Sequence, residues 1–228
     1  MLSIVGTPIG NLSDLSLRQA QTIAGADVIL CEDTRTTGIL LQKITSLFGF
    51  PRNPNQRLIS YYMEKEMEKL PEIIPLLGNH GVVLISQSGL PLISDPGSLL
   101  VRQCTRQKIA FTVVPGPTAF TTALLHSGFN LKQFMFCGFV PKKSAQFKNL
   151  ITKLAKIGLD FPDITFGFYE SPLRIKKALE MLADIVPDSN VIVCRELTKK
   201  FEEVKRGKPS ELLKYEYKGE ITLLFQLD

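Results

Sequence analysis

Short apolar runs rich in β-branched residues recur along the first half of this chain. Each is followed by turn-forming residues and then by a stretch of helical length. The runs cover 2–5, 28–31, 58–60, 82–86 and 111–114. A strand that is apolar on both faces must be covered on both faces, and a parallel sheet with helices above and below does this. Predicted helices span 15–24, where Leu15, Ala20, Ile23 and Ala24 share one face, then 65–77 and 98–107. Pro71 and Pro75 are expected to disturb the middle of the second.

From residue 134 the texture changes. Strands are predicted at 134–140, 165–169, 191–195, 202–205 and 221–226, the last three joined by short connections. Lys205-Arg206-Gly207-Lys208 reads as a turn leading into a short helix at 210–214. The expected architecture is therefore α/β in two domains. Residues 1–118 carry a mainly parallel sheet and 119–228 a mixed one.

At 228 residues and 44% hydrophobic content, the chain can bury two cores, and disorder is excluded as its general state. Met1–Gly6 reads as a strand entering a turn and not as a signal peptide, and no apolar run approaches the roughly 20 residues that span a bilayer. A cytoplasmic protein without membrane partners is expected. Cys31, Cys104, Cys137 and Cys194 are scattered with no C-x-x-C pair, so they read as reduced thiols, and no metal centre is expected. The net charge of +5 is mild and favours a polyanionic partner without identifying one.

Ligands of open parallel sheets bind beyond the carboxyl ends of the strands. Four post-strand stretches lie there: Gly6-Thr7-Pro8-Ile9-Gly10-Asn11, Glu32-Asp33-Thr34-Arg35, the loop 85–98, and Pro115-Gly116-Pro117-Thr118-Ala119. The first is neither a dinucleotide fingerprint nor a phosphate loop. Taken alone, stretches like it and the last one are ordinary strand-to-helix turns more often than ligand sites. The loop 85–98 is either a long surface loop or a place where backbone approaches a ligand. Asp33 has two open readings, helix cap or catalytic carboxylate, and capping leaves Glu32 and Arg35 unexplained.

Seven motifs occur in order: VGTPIGNLSDLSLRQA, CEDTRTT, SGLPLISDPG, PGPTAFTTALLHSG, FCGFVPKK, YESPLR and CRELTKKFEEVKRG. Together they resemble the small-subunit rRNA (cytidine-2'-O)-methyltransferase I family, a branch of the tetrapyrrole (precorrin-corrin) methylase superfamily. The resemblance implies a two-domain tetrapyrrole-methylase-like fold, a homodimer, and S-adenosylmethionine bound in the cleft between domains. The implied reaction is 2'-O-methylation of a cytidine in small-subunit rRNA, with the RNA or the 30S subunit as partner. It also implies cofactor contacts from Pro8, Ile9, Ser88, Gly89, Leu90, Ile93, Thr118 and Ala119, with Tyr169 and Leu197 from the second domain. Glu32, Asp33, Glu170 and Glu196 are the candidate bases, and Arg35, Arg174, Arg195 and Lys199 the candidate cations. Lys199, Lys200, Lys205, Arg206 and Lys208 are expected to converge on one RNA-facing surface.

The chain departs from the family pattern at four places. Gln87 and Leu90 replace an acid and a hydroxyl in the cofactor loop, Leu173 replaces a histidine, and Phe147 stands where an arginine is common. Two alternatives therefore stay open: a methylase of a tetrapyrrole or other small molecule, and a non-catalytic RNA- or ribosome-binding homologue.

Overall fold

The computed structural model describes residues 1–227, and the chain divides into two compact units, the first Met1–Thr118 and the second beginning at Ala119. The first unit holds strands β1 (Leu2–Val5), β2 (Val28–Cys31), β3 (Arg57–Ser60), β4 (Val82–Leu84) and β5 (Phe111–Val114). Between them run helices α1 (Leu17–Gly25), α2 (Thr34–Phe48), α3 (Glu66–Asn79) and α4 (Ser98–Arg106). All strand pairs are parallel, in the order β3-β2-β4-β1-β5.

The strand side chains alternate between two cores. Leu2, Ile4, Val28, Leu30, Val82 and Leu84 pack with Leu70, Ile73 and Leu77 of α3 and Leu100 of α4. Val5, Ile29, Cys31 and Val83 pack on the other face with Ala20 and Ile23 of α1 and Leu41 and Ile44 of α2. Both faces are covered, which is why these strands are continuously apolar. Helix α1 starts at a capping box: Ser16 accepts from Gln19 N, and the Gln19 side chain accepts from Ser16 N.

Two local expectations are corrected. Helix α3 runs unbroken through Pro71 and Pro75. Both prolines lie on its exposed side, where water can take the carbonyls they leave unpaired, while Leu70, Ile73 and Leu77 anchor the opposite face. Lys205 to Gly207 form no turn. They complete a strand paired with residues 191–193, and only Lys208 leads into the helix that follows.

The second unit contains α5 (Ala119–Ser127), β6 (Phe134–Phe139), α6 (Ser144–Asp160), β7 (Thr165–Glu170), α7 (Ile175–Ile185), β8 (Asn190–Arg195), β9 (Glu203–Gly207), α8 (Pro209–Leu212) and β10 (Ile221–Gln226). The sheet order is β6-β7-β10-β8-β9, with only β6–β7 parallel, so the sheet is mixed. Phe166, Phe168, Val191, Val193, Leu223 and Phe225 point toward α6 and α7. Cys31, Cys104 and Cys194 are buried and Cys137 partly so, all as free thiols. Among the described residues, no helix is long and apolar enough to cross a membrane.

Gly167 makes room for the helix on the other face of β7. A Cβ there would collide with the Phe120 ring of α5 and lie 2.8 Å from Leu224 Cδ2. Gly167→Ala is expected to cost about 1–3 kcal/mol, the usual size of an overpacking penalty. Denaturant unfolding checks this, and an unchanged midpoint would mean that α5 yields freely.

Candidate functional site

In the first unit, the loops after β1, β4 and β5 are fastened to one another. Thr7 and Gly89 form an isolated antiparallel bridge, with Thr7 N donating to Gly89 O at 2.8 Å and Gly89 N to Thr7 O at 3.1 Å. Ser86 Oγ donates to the same Gly89 carbonyl at 3.1 Å. A Cβ on Gly6 would lie 2.8 Å from Gly116 Cα, so two backbones cross in contact where both glycines occur. The buried Gln19 amide closes this crossing, donating to Gly6 O at 2.9 Å and Pro115 O at 3.0 Å.

Gly89 adopts φ +83° with Ile9 and the Pro117 carbonyl as neighbours. Leu92 and Ser94 are also left-handed, at φ 72° and 66°. Such residues cost about 1–2 kcal/mol each, so the loop must be held. Leu92 N donates to Pro96 O at 3.2 Å. The buried Glu66 carboxylate accepts from Gly97 N and Leu99 N, capping α4 from another helix. Pro8 and Ile9 are buried, Ser88, Leu90, Thr118 and Ala119 half-buried, and Ile93 exposed.

The candidate carboxylates differ sharply in what already occupies them. Asp33 caps α2, accepting from Arg35 N at 2.7 Å, and pairs with the Arg35 guanidinium at 3.0 Å. Hydrogen bonds from Arg35 hold the Asp33 carboxyl below its ordinary pKa. The cap thus accounts for both residues. Glu32 is placed otherwise, with Oε1 accepting from Gln87 N at 3.3 Å, on the loop after β4. Asp95, which sequence reasoning passed over, sits in that loop half-buried. Its carboxyl is pushed up to about 7, first by burial and then by the charge of Glu32. Its signal was a carboxylate in a loop otherwise free of charge, and it went unread.

In the second unit, Glu170 ends β7 with its side chain fully buried. Its Oε1 accepts from Ser171 N at 2.6 Å and from Arg174 at 2.6 Å, whereas Oε2 has no partner. Burial raises its pKa. Arg174 also donates to Val140 O at 3.2 Å. The pair therefore ties the end of β6 to the start of α7. Tyr169 lies among Phe136 and Phe139, with ring centroids 4.8 and 5.6 Å away.

Leu197 is buried between two left-handed residues, Glu196 at φ 51° and Thr198 at φ 65°. Glu196 accepts from Glu220 N at 2.9 Å and pairs with Lys199 at 3.1 Å, and Lys199 also reaches Glu220 at 2.9 Å. The cations expected to face RNA are largely engaged within the fold. Lys205 pairs with Glu203 at 2.8 Å, Arg206 donates to His126 O, and Lys208 donates to Asp188 O.

Three of the four departures have physical explanations. Leu90 packs its Cδ2 over Gly6, filling space inside the loop cluster. Phe147 is a core residue, edge-on to Phe168 at 5.6 Å. Gln87 meets Glu32 through its backbone, which any residue supplies. Leu173 is 93% exposed, and nothing in the structure explains its replacement of a polar residue.

Comparisons with known proteins follow the same lines. Residues 1–213 match the model of the tetrapyrrole (corrin/porphyrin) methylases. The chain is 38% identical to the ribosomal RNA small subunit methyltransferase I of Thermotoga maritima, covering 98% of this chain and 96% of that one. It is 39% identical to the protein of the same name from Mycoplasmopsis pulmonis, covering 97% and 96%. A crystal structure of diphthine synthase superposes with a TM-score of 0.72 at 16% identity, covering 100% of this chain and 90% of that one, which shows a shared fold.

Asp95 gives this region a pH signature. An acid whose folded pKa is raised keeps its proton longer in the native state than in the unfolded one. Between about pH 4 and pH 7 the native form binds more protons, so this group's contribution falls as pH rises through that window. Asp95→Asn should therefore gain stability relative to wild type at pH 8 and not at pH 3. Unfolding curves at both pH values check this, and equal differences at the two would remove the perturbed carboxyl.

Proposed function

The chain belongs to the tetrapyrrole methylases and, within them, to the small-subunit rRNA methyltransferase I family, and from that premise we propose that it methylates the ribose 2'-hydroxyl of a cytidine in small-subunit rRNA. What carries the reading is the end-to-end relatedness to proteins of that name, with 98% of the chain aligned. A cytoplasmic site of action goes with this substrate. A homodimer is part of the reading, and the edge strand β5 offers it exposed Phe111 and Val113.

The loop after β4 suits S-adenosylmethionine. Gly89 is held left-handed by its bridge to Thr7, and the half-buried Leu90 and exposed Ile93 offer apolar surface for an adenosyl group, with buried Ile9 packed beside Gly89. Pro8, Ser88 and Thr118 complete the group of first-unit residues that would hold it. When bound, the cofactor supplies an electrophilic methyl group.

The chain's own task is to orient the ribose and accept its hydroxyl proton. Glu32 is the carboxylate best suited to accept that proton, being fixed by one backbone N–H and not locked in an ion pair. Asp95 is the natural relay, since burial and then the charge of Glu32 hold its carboxyl protonated longer than usual. Asp33 and Arg35 order α2. Glu170, Glu196 and Lys199 hold the strand ends of the second unit through their ion pairs. The small-molecule methylase remains a less supported reading, because the aligned relatives bear the rRNA name throughout their length.

Two outcomes test this. Gly89→Val should abolish S-adenosylmethionine binding in a titration while the protein stays folded, because a branched side chain strains the left-handed backbone and fills the cofactor's space. Glu32→Gln should bind the cofactor normally yet slow single-turnover methylation by about 10²–10⁴-fold. Asp33→Asn, which keeps a good cap, should stay near wild type. Full activity in Glu32→Gln would remove Glu32 from the chemistry.

A further inference from the structure

Four exposed lysines of the second unit that make no ion pair among the described residues lie on one helix and its approach. Residues 142–160 contain Lys142, Lys143, Lys148, Lys153 and Lys156 against a single acid, Asp160. Lys148 is neutralised by Asp184 of the packed helix α7, at 2.6 Å. The other four lysines are exposed and make no ion pair among the described residues. Phe147, Ile151, Leu154 and Gly158 form the buried face of α6, whereas Lys153 and Lys156 lie on the opposite side with Gln146 and Asn149.

Stability does not account for this arrangement. A helix N-terminus favours acids, since its backbone dipoles present partial positive charge. The first turn of α6 contains no acid, and Lys143 occupies its N-cap position without a side-chain cap bond. Lys142 and Lys143 thus add positive charge where the helix is already positive. That conflict between local preference and sequence is expected where charge serves a partner.

An aromatic ring stands at the head of the same segment. Phe139 ends β6 and is 55% exposed. It rests edge-on against Tyr169 at 5.6 Å. The next residue is fixed on both sides, with Val140 N donating to Tyr169 O at 3.0 Å and Val140 O accepting from Arg174. The chain from Phe139 to Lys143 therefore leaves a rigid support, presenting a ring face and then two cations.

We propose that single-stranded substrate RNA docks along this surface, with a base stacked on Phe139 and the phosphate backbone following Lys142, Lys143, Lys153 and Lys156. The inference rests on the rRNA reading above and assigns it a surface. Thirteen residues separate Lys143 from Lys156, which is about 20 Å along the helix, enough for several nucleotides. Stacking with flanking cations is how single strands are held without base readout. The ion-paired cations around β9 are left to the fold.

The test measures binding of a small-subunit rRNA transcript across a salt series. Lys142→Gln, Lys143→Gln, Lys153→Gln and Lys156→Gln combined should weaken binding at least tenfold. The slope of log affinity against log salt should flatten by about 0.7 for each single-strand phosphate contact removed. Phe139→Ala should lose on the order of tenfold with the slope unchanged. Lys214→Gln with Lys218→Gln, on the connection before β10, should match wild type, and S-adenosylmethionine affinity should be unaltered in all. Wild-type binding with an unaltered affinity and slope in the quadruple variant overturns this surface alone. A Phe139→Ala variant that binds like wild type overturns the stacking. Wild-type protein that neither binds nor methylates the transcript or the assembled 30S subunit overturns the rRNA reading itself.

Discussion

The contact between the backbones of Gly6 and Gly116, locked by the Gln19 amide, is the constraint on which the first unit's strand-end loops depend. β1 lies between β4 and β5 in the sheet, so the loop that leaves it must pass both neighbours. The bridge from Thr7 to Gly89 fastens it to one and the glycine crossing to the other. Side chains at either glycine would separate these backbones, and the Gln19 amide would lose both acceptors. The loop after β4 can hold strained residues at 92 and 94 because it is tied at Gly89 and again at Gly97, through Glu66. Strain of this kind survives only where surroundings over-determine it, and it concentrates where function needs a fixed backbone.

The second unit relies on a different device, ion pairs at strand ends. Glu170 with Arg174 joins the end of β6 to α7, and Glu196 with Lys199 and Glu220 closes the turn after β8. Removing one partner of the first pair would strand a buried charge, which costs far more than the pair contributes. Acids and cations near strand ends have the same composition whether they serve structure or chemistry. Only their partners distinguish the roles.

Strand runs and the change of texture near residue 134 were legible because burial on both faces leaves a continuous apolar pattern. Helix α3 was misread because proline's local penalty is visible in a sequence, while the packing of Leu70, Ile73 and Leu77 that overrides it is not. Lys205 to Gly207 read as a turn because charge and glycine suggested one, yet pairing with β8 decided the matter. Position along the chain suggested that the glycine-rich stretches matter, but not that Gly6 and Gly116 serve each other. Asp95 was invisible for a related reason. Its perturbation comes first from burial and then from Glu32, which arrives from a different strand, and no spacing encodes either.

In the proposed reaction, the second unit's exposed lysines would hold a polyanion and the first unit's carboxyls would manage one proton. Both assignments presuppose that ribose is the acceptor. Ribose methylation mapped across small-subunit rRNA, in cells lacking this protein and in cells complemented with it, tests that most directly. The expected result is loss of 2'-O-methylation at a cytidine on deletion and its return with wild type but not with Glu32→Gln. An rRNA methylation map identical in all three strains would contradict it.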